Sequence, residues 1–199
     1  MTWGDSFGNE FYELKVAGLT RKLPKVKITD ELAIASFVML GDTKLIEKCA
    51  TYLTIHPDFP KGKNDIDVVV CPEAKAIPLV HVISKILGVD YVVARKSVKG
   101  YMVDPIMEKV ESITTIGEQM LVLDKPDAEK VKGKNVCIVD DVVSTGGSIT
   151  AVEKLLQKAE ANVICKAAVL LEEAGYDKDD IIYLERLPIF KLNKAILIC

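Results

Sequence analysis

A doubly wound α/β fold with a mainly parallel sheet is predicted by three features of this 199-residue sequence. Val136, Cys137, Ile138 and Val139 form a continuous apolar run, the pattern of a strand buried on both faces of a parallel sheet. Ile66–Val70 and Tyr91–Ala94 are two further apolar runs, joined by a helical segment that Pro78 suits at its first turn and Gly88 stops. That strand, helix and strand make a right-handed parallel crossover. Val136–Val139, a helix beginning near Ser148 and Val163–Leu171 make a second such unit. Two units of this kind place ligands in the crevice beyond the carboxyl ends of the strands.

The length suits one domain, residues 1–199, with a sizeable core. Apolar residues make up 49%, charged residues 28%, and the net charge is −3, so no global feature points to nucleic acid or to a membrane surface. An anion site must therefore be built locally. The N-terminal MTWGDSFGNEF lacks the regions of a signal peptide and no apolar run reaches spanning length, so the protein is expected to be cytoplasmic. Five widely spaced cysteines, mostly in apolar runs, are expected to be reduced packing residues.

In chain order, Tyr12–Ile28 reads as a hairpin broken at Ala17-Gly18. Thr29 or Asp30 caps a predicted helix with Leu32, Ile34, Phe37, Val38 and Leu40 on its apolar side and Gly41 past its end. Asp42 caps another, with Leu45, Ile46, Cys49, Tyr52 and Leu53 inward. His56–Asp65 is a surface loop, and His56 a surface residue. The long stretch Ser97–Gln119 carries Gly100, Pro105 and Gly117 and is expected to be functional. Ser112–Thr115 and Gln119–Leu123 alternate like the arms of a hairpin, and Ile181–Cys199 holds two short strands flanking Pro188.

Chemistry concentrates after the central apolar run. Asp140 and Asp141 are adjacent acids at a strand's carboxyl edge, where mutual repulsion calls for cations or hydroxyl donors as partners. Ser144, Thr145, Gly146, Gly147 and Ser148 then offer hydroxyls, unhindered glycines and backbone N–H groups at a helix start, which suit a phosphate. No Gly-Lys-Ser follows, and the acids precede the glycines, so this is neither a Walker loop nor a dinucleotide fingerprint. The stretch resembles the phosphoribosyl-diphosphate motif of the type I phosphoribosyltransferases. By that resemblance Asp140 and Asp141 hold the ribose hydroxyls, and Ser144–Ser148 wrap the 5′-phosphate.

Two neighbouring stretches extend the likeness. CPEAKAIP, Cys71–Pro78, resembles the pyrophosphate loop of adenine phosphoribosyltransferases, which implicates Glu73, Ala74 and Lys75 in substrate binding. Lys75 replaces the family's usual arginine and Ala76 its glycine, which keeps the cation but not bidentate recognition. In that family the peptide here is often cis without proline. ARKSVKGYM resembles the family's Arg-Lys-x-x-Lys element, so Arg95 is expected to bind the leaving group, and Lys96 and Lys99 to act in catalysis. Ser97–Gln119 resembles the catalytic lid, in which Glu118 is one candidate acid or base. The family's nucleobase hood would come from residues 10–29 and 176–199 around a core of 30–175, with Tyr176, Tyr183 and Phe190 as candidates for stacking.

The resemblance implies transfer of phosphoribose from 5-phosphoribosyl 1-diphosphate to a nucleobase, adenine first, with Mg²⁺ bound through substrate oxygens and with Asp140 or Asp141 as the candidate protein ligand. A homodimer is expected. Ser144 stands where hypoxanthine-guanine enzymes carry aspartate and adenine enzymes alanine, so xanthine or another 6-oxopurine, and orotate, stay open. A non-enzymatic regulator of the same fold that senses the donor also stays open, although the first 65 residues lack the dense basic face that DNA binding needs.

Overall fold

The computed structural model describes residues 6–61, 65–110, 119–173 and 175–192. Two sheets dominate. The larger consists of β4 (Val68–Pro72), β5 (Asp90–Ala94), β8 (Asn135–Val143), β9 (Asn162–Glu172) and β10 (Ile182–Leu187), all parallel, in the order β10-β9-β8-β4-β5. Val68–Val70 and Val136–Val139 are buried, as both-face covering requires. Helix α2 (Ile77–Leu87) forms the β4–β5 crossover and α4 (Gly147–Lys158) the β8–β9 crossover. The doubly wound parallel sheet expected from the apolar runs is therefore present. Counted along the chain, the strand order reverses between β4 and β8, which is where such a sheet opens a crevice.

The smaller sheet is antiparallel, in the order β1-β2-β3-β11, from β1 (Ser6–Val16), β2 (Leu19–Lys27), β3 (Leu32–Ala35) and β11 (Ile189–Lys191). The β1–β2 hairpin turns at Ala17-Gly18, both at positive φ, as its sequence predicts. The helix expected after Thr29 is instead β3. Ala33, Ala35, Phe37 and Met39 are buried while Leu32, Val38 and Leu40 are exposed, a period of two that the small alanines conceal. Asp42 does cap α1 (Thr43–Thr54), accepting from the Leu45 N–H at 3.1 Å. Its carboxylate also takes Arg21 of β2 through two nitrogens, which ties the helix to the hairpin.

The tail divides between the sheets. Ile182–Leu187 pairs in parallel with β9 and so belongs to the central sheet, and only Ile189–Lys191, beyond Pro188, crosses to the small one. Residues 193–199 lie outside those described. A third pair, β6 (Ile106–Val110) and β7 (Gln119–Leu123), forms an antiparallel hairpin. Its second arm is the expected one, but its partner is Ile106–Val110, and Ser112–Thr115 lie outside the described residues. Glu108 of β6 accepts from Lys158 of α4 at 2.7 Å, which seats the hairpin on that helix. The sequence reading assigns no element to α3 (Lys125–Val131), although Asp124 before Lys125-Pro126 is a helix-start signal.

Among the described residues, Cys49, Cys71, Cys137 and Cys165 are free and buried. Burial pushes the Cys49 thiol up to about 12, so it packs as an inert apolar group. No described helix is long and apolar enough to cross a membrane.

Candidate active site

The crevice between β4 and β8 is lined by the loops that follow those strands. One cavity of about 310 Å³ is bordered by Glu73, Ala74, Lys75, Lys96, Asp140, Asp141 and Ser148. A second, of about 190 Å³, shares Asp140 and Ser148 with it and adds Ser144, Thr145, Gly146 and Gly147. Residues spread over 76 positions of sequence thus meet at one sheet edge. Arg95 and Lys99 line neither cavity. Val110 and Gln119 of the β6–β7 hairpin close both from the side, and Gln119, the last residue of the lid-like stretch, is a polar lining residue not named among the candidate site residues. Glu118 lies outside the described residues.

The two acids lie inside β8 rather than after it, so their side chains leave opposite faces of the strand. They are 7% and 3% exposed. Asp141 accepts from Lys75 Nζ at 2.6 Å, across from β4 to β8, and its own N–H donates to Asp140 Oδ1 at 2.8 Å. Burial pushes the Asp140 carboxyl well above the usual range, and the neighbouring Asp141 charge adds to it, with Lys75 opposing. A buried acid in this state favours any ligand that brings positive charge or hydroxyl donors to it.

Glu73 borders the first cavity and also braces the loop after β5. One carboxylate oxygen accepts the Lys96 N–H at 2.8 Å and the other lies 3.4 Å from Arg95 Nε. The Lys96 N–H, followed by the Arg95 charge, holds this carboxyl below its ordinary value. Glu73 is thereby occupied in fixing the cationic loop. Arg95 is pinned further by its main chain, which exchanges two 2.8 Å hydrogen bonds with Val122 of β7. The Glu73–Ala74 peptide is cis.

The loop after β8 ends at Gly146, at φ +81° and without a capping side chain, so the first N–H groups of α4 point out unpaired by any cap. The aromatic candidates for stacking each make contacts within the chain. Tyr176 lies against Gly146, Tyr183 is 5.3 Å beneath Arg186, and Phe190 contacts Tyr12 and carries Lys25 at 4.5 Å over its ring.

Residues 43–193 match the model of the phosphoribosyl transferase domain. The chain belongs to that family. It is 33% identical over 131 residues, 66% of this chain and 60% of the other, to the adenine phosphoribosyltransferase of Corynebacterium jeikeium. It is equally, 33%, identical over 148 residues, 74% of this chain and 73% of the other, to the hypoxanthine/guanine phosphoribosyltransferase of Methanothermococcus okinawensis. Among solved structures, it superposes on the adenine phosphoribosyltransferase of Saccharomyces cerevisiae, in complex with an imino-altritol bisphosphate and adenine. That match has a TM-score of 0.54 and 28% identity, and covers 64% of this chain and 70% of the other. In this phosphoribosyl transferase domain, the acid pair, Lys75, Lys96 and the Ser144–Ser148 loop converge on the crevice at the strand-order reversal.

Among the described residues, no cluster of three or more His, Cys, Asp and Glu could hold a metal ion. The donor set is two carboxylates, one of them already paired with Lys75. That fits Mg²⁺, which binds one or two carboxylates and takes its remaining ligands from phosphates and water.

Proposed function

We propose that this protein transfers 5-phosphoribose from 5-phosphoribosyl 1-diphosphate to a purine, adenine in preference, releasing pyrophosphate. The observation that carries the reading is the buried Asp140–Asp141 pair, bridged by Lys75 to the β4 loop and facing the uncapped loop at Gly146. The anomeric C–O bond to diphosphate breaks and a C–N bond to the base forms, with the base N–H proton lost. Positive charge grows on the sugar as the first bond lengthens, as in other glycosyl transfers. Asp140 and Asp141 hold the ribose hydroxyls and favour that charge, while Lys75, Lys96 and Lys99 take up the negative charge leaving with pyrophosphate. Glu73 orients Arg95 and Lys96, and Ser144–Ser148 bind the 5′-phosphate. Bound Mg²⁺ supplies neutralisation of the diphosphate. The β1-β2-β3-β11 sheet is the candidate cover for the base.

Adenine is favoured by the Cys71–Pro78 and Arg95–Lys99 stretches and by the Corynebacterium relative. The Methanothermococcus relative, at the same identity, favours a 6-oxopurine as the second reading. A panel of adenine, hypoxanthine, guanine, xanthine and orotate decides between them, with adenine expected to give the highest kcat/KM. A 6-oxopurine leading by about tenfold, roughly 1.4 kcal/mol in transition-state binding, would replace the adenine assignment and leave the reaction class intact. Excess chelator is expected to abolish pyrophosphate release, and added Mg²⁺ to restore it. Undiminished turnover in chelator would remove the metal from the reading.

A further inference from the structure

We infer that Tyr176 is a positioning residue for the donor's 5′-phosphate, acting through the backbone of Gly146 and held in place by Asp180 and Lys166. The inference rests on the transferase reading above and deepens it with residues outside the motif. A Cβ built on Gly146 would lie 2.3 Å from Tyr176 Cδ2 and 2.5 Å from Cε2. The ring therefore fills the space where any other residue at 146 would place its side chain. Gly175, at φ +109°, packs alongside, its absent Cβ 3.5 Å from Thr145 Cγ2. Two successive residues of one segment thus cover two successive residues of the phosphate loop.

Tyr176 is itself anchored. Its hydroxyl donates to one oxygen of Asp180, and the other accepts from Lys166 Nζ at 2.8 Å. Lys166 also pairs with Glu153 at 2.9 Å, and its side chain is only 10% exposed. Glu153 belongs to α4, the helix that starts at Gly147, so the chain of contacts returns to the loop it supports. A glycine free of Cβ has more conformations to lose than any other residue when it closes on a ligand. A ring packed on it removes the alternatives before the donor arrives, which lowers the ordering cost of binding. The ring is spent on the loop and is not offered to a base.

The test measures Tyr176→Ala, Tyr176→Phe and Asp180→Asn by steady-state kinetics, with donor and purine varied separately. Calorimetry with ribose 5-phosphate, which carries the phosphate without the reactive diphosphate, is run beside it. Tyr176→Ala is expected to raise donor KM and ribose 5-phosphate Kd about tenfold, with purine KM within about twofold and kcat within about threefold. Tyr176→Phe keeps the ring and most of the affinity, and combining it with Asp180→Asn costs less than the sum of the two, because they share the Tyr176 hydroxyl contact while Asp180 also holds Lys166. A folded Tyr176→Ala with wild-type donor KM and ribose 5-phosphate Kd would overturn the inference, as would a rise confined to purine KM. Should that variant not fold, Tyr176→Leu carries the same expectations. A wild-type protein that releases no pyrophosphate with any base overturns the transferase reading instead, and the ribose 5-phosphate Kd still decides the role of Tyr176.

Discussion

Replacing Asp140 and Asp141 together by asparagine is expected to lower kcat by roughly 10²–10³ while leaving a folded protein that melts higher than wild type. The loss falls on kcat because the carboxylates interact most strongly with the sugar once it carries positive charge, and asparagine keeps shape and hydrogen bonding without the charge. The gain in stability follows from Asp140. Its carboxyl is raised, first by burial and then by Asp141, so the folded state binds a proton more readily than the unfolded one. Stability is therefore fully present below the unfolded carboxylate pKa and declines as pH rises towards the raised folded value. Asparagine removes that decline, so the gain is expected at neutral pH and should vanish in acid. Each kcal/mol gained raises Tm by about 2–4 °C for a chain of this size. Losing the Asp141 pair with Lys75 offsets little, since the lysine side chain is 47% exposed and remains solvated. Thermal melts at pH 4 and pH 7.5 beside donor-saturated turnover check both halves. A double variant with near wild-type kcat would show that the acids are structural, and the mechanism proposed here would fail with it.

The central sheet was legible because its strands are buried on both faces. Val68–Val70 and Val136–Val139 read as apolar runs whatever surrounds them, and Gly88 and Asp42 mark helix ends by local chemistry alone. The small sheet was less so. In β3 the buried positions are Ala33 and Ala35 while the larger Leu32 faces water, so hydrophobicity by size points to the wrong period. Ile182–Leu187 pairs with β9 through main-chain bonds that no side-chain pattern announces, which is why it joins the central sheet rather than the small one.

At the site, motif spacing identified the residue types but not their pairings. Lys75 and Asp141 are 66 positions apart, and only the adjacency of β4 and β8 brings them to 2.6 Å. Glu73 reads as a substrate ligand in sequence, and only the fold adds its contacts with Arg95 and the Lys96 N–H. The lid-like stretch reaches Gln119 without giving it a role, and Tyr176 stands in the sequence only as a stacking candidate. Gln119 borders both cavities and Tyr176 packs on Gly146 because a hairpin and a post-strand segment fold there, and that is information held in tertiary packing.

Gly146→Ala is expected to be the most damaging single change in the Ser144–Ser148 loop, the proposed phosphate site, and Gly41→Ala provides its control. Both glycines hold positive φ, +81° at Gly146 and +86° at Gly41, so alanine at either costs about 1–2 kcal/mol in backbone conformation. They differ in what a Cβ meets. At Gly41 nothing lies within 4 Å, whereas at Gly146 the Tyr176 ring stands 2.3 Å away, a separation that forces loop or ring to move. Gly41→Ala should therefore lower Tm and leave donor KM unchanged, because Gly41 lines neither cavity of the crevice. Gly146→Ala should lower Tm by at least as much and raise donor KM by about 100-fold, since the N–H groups at the start of α4 shift from the positions the phosphate needs. Adding Tyr176→Ala to Gly146→Ala removes the collision but not the backbone cost, so donor KM is expected to recover by about tenfold relative to Gly146→Ala alone. Donor KM and Tm measured across these four proteins separate the two causes. Equal donor KM in the Gly146→Ala and Gly41→Ala variants would mean that the loop tolerates a side chain there and that the 5′-phosphate is bound elsewhere.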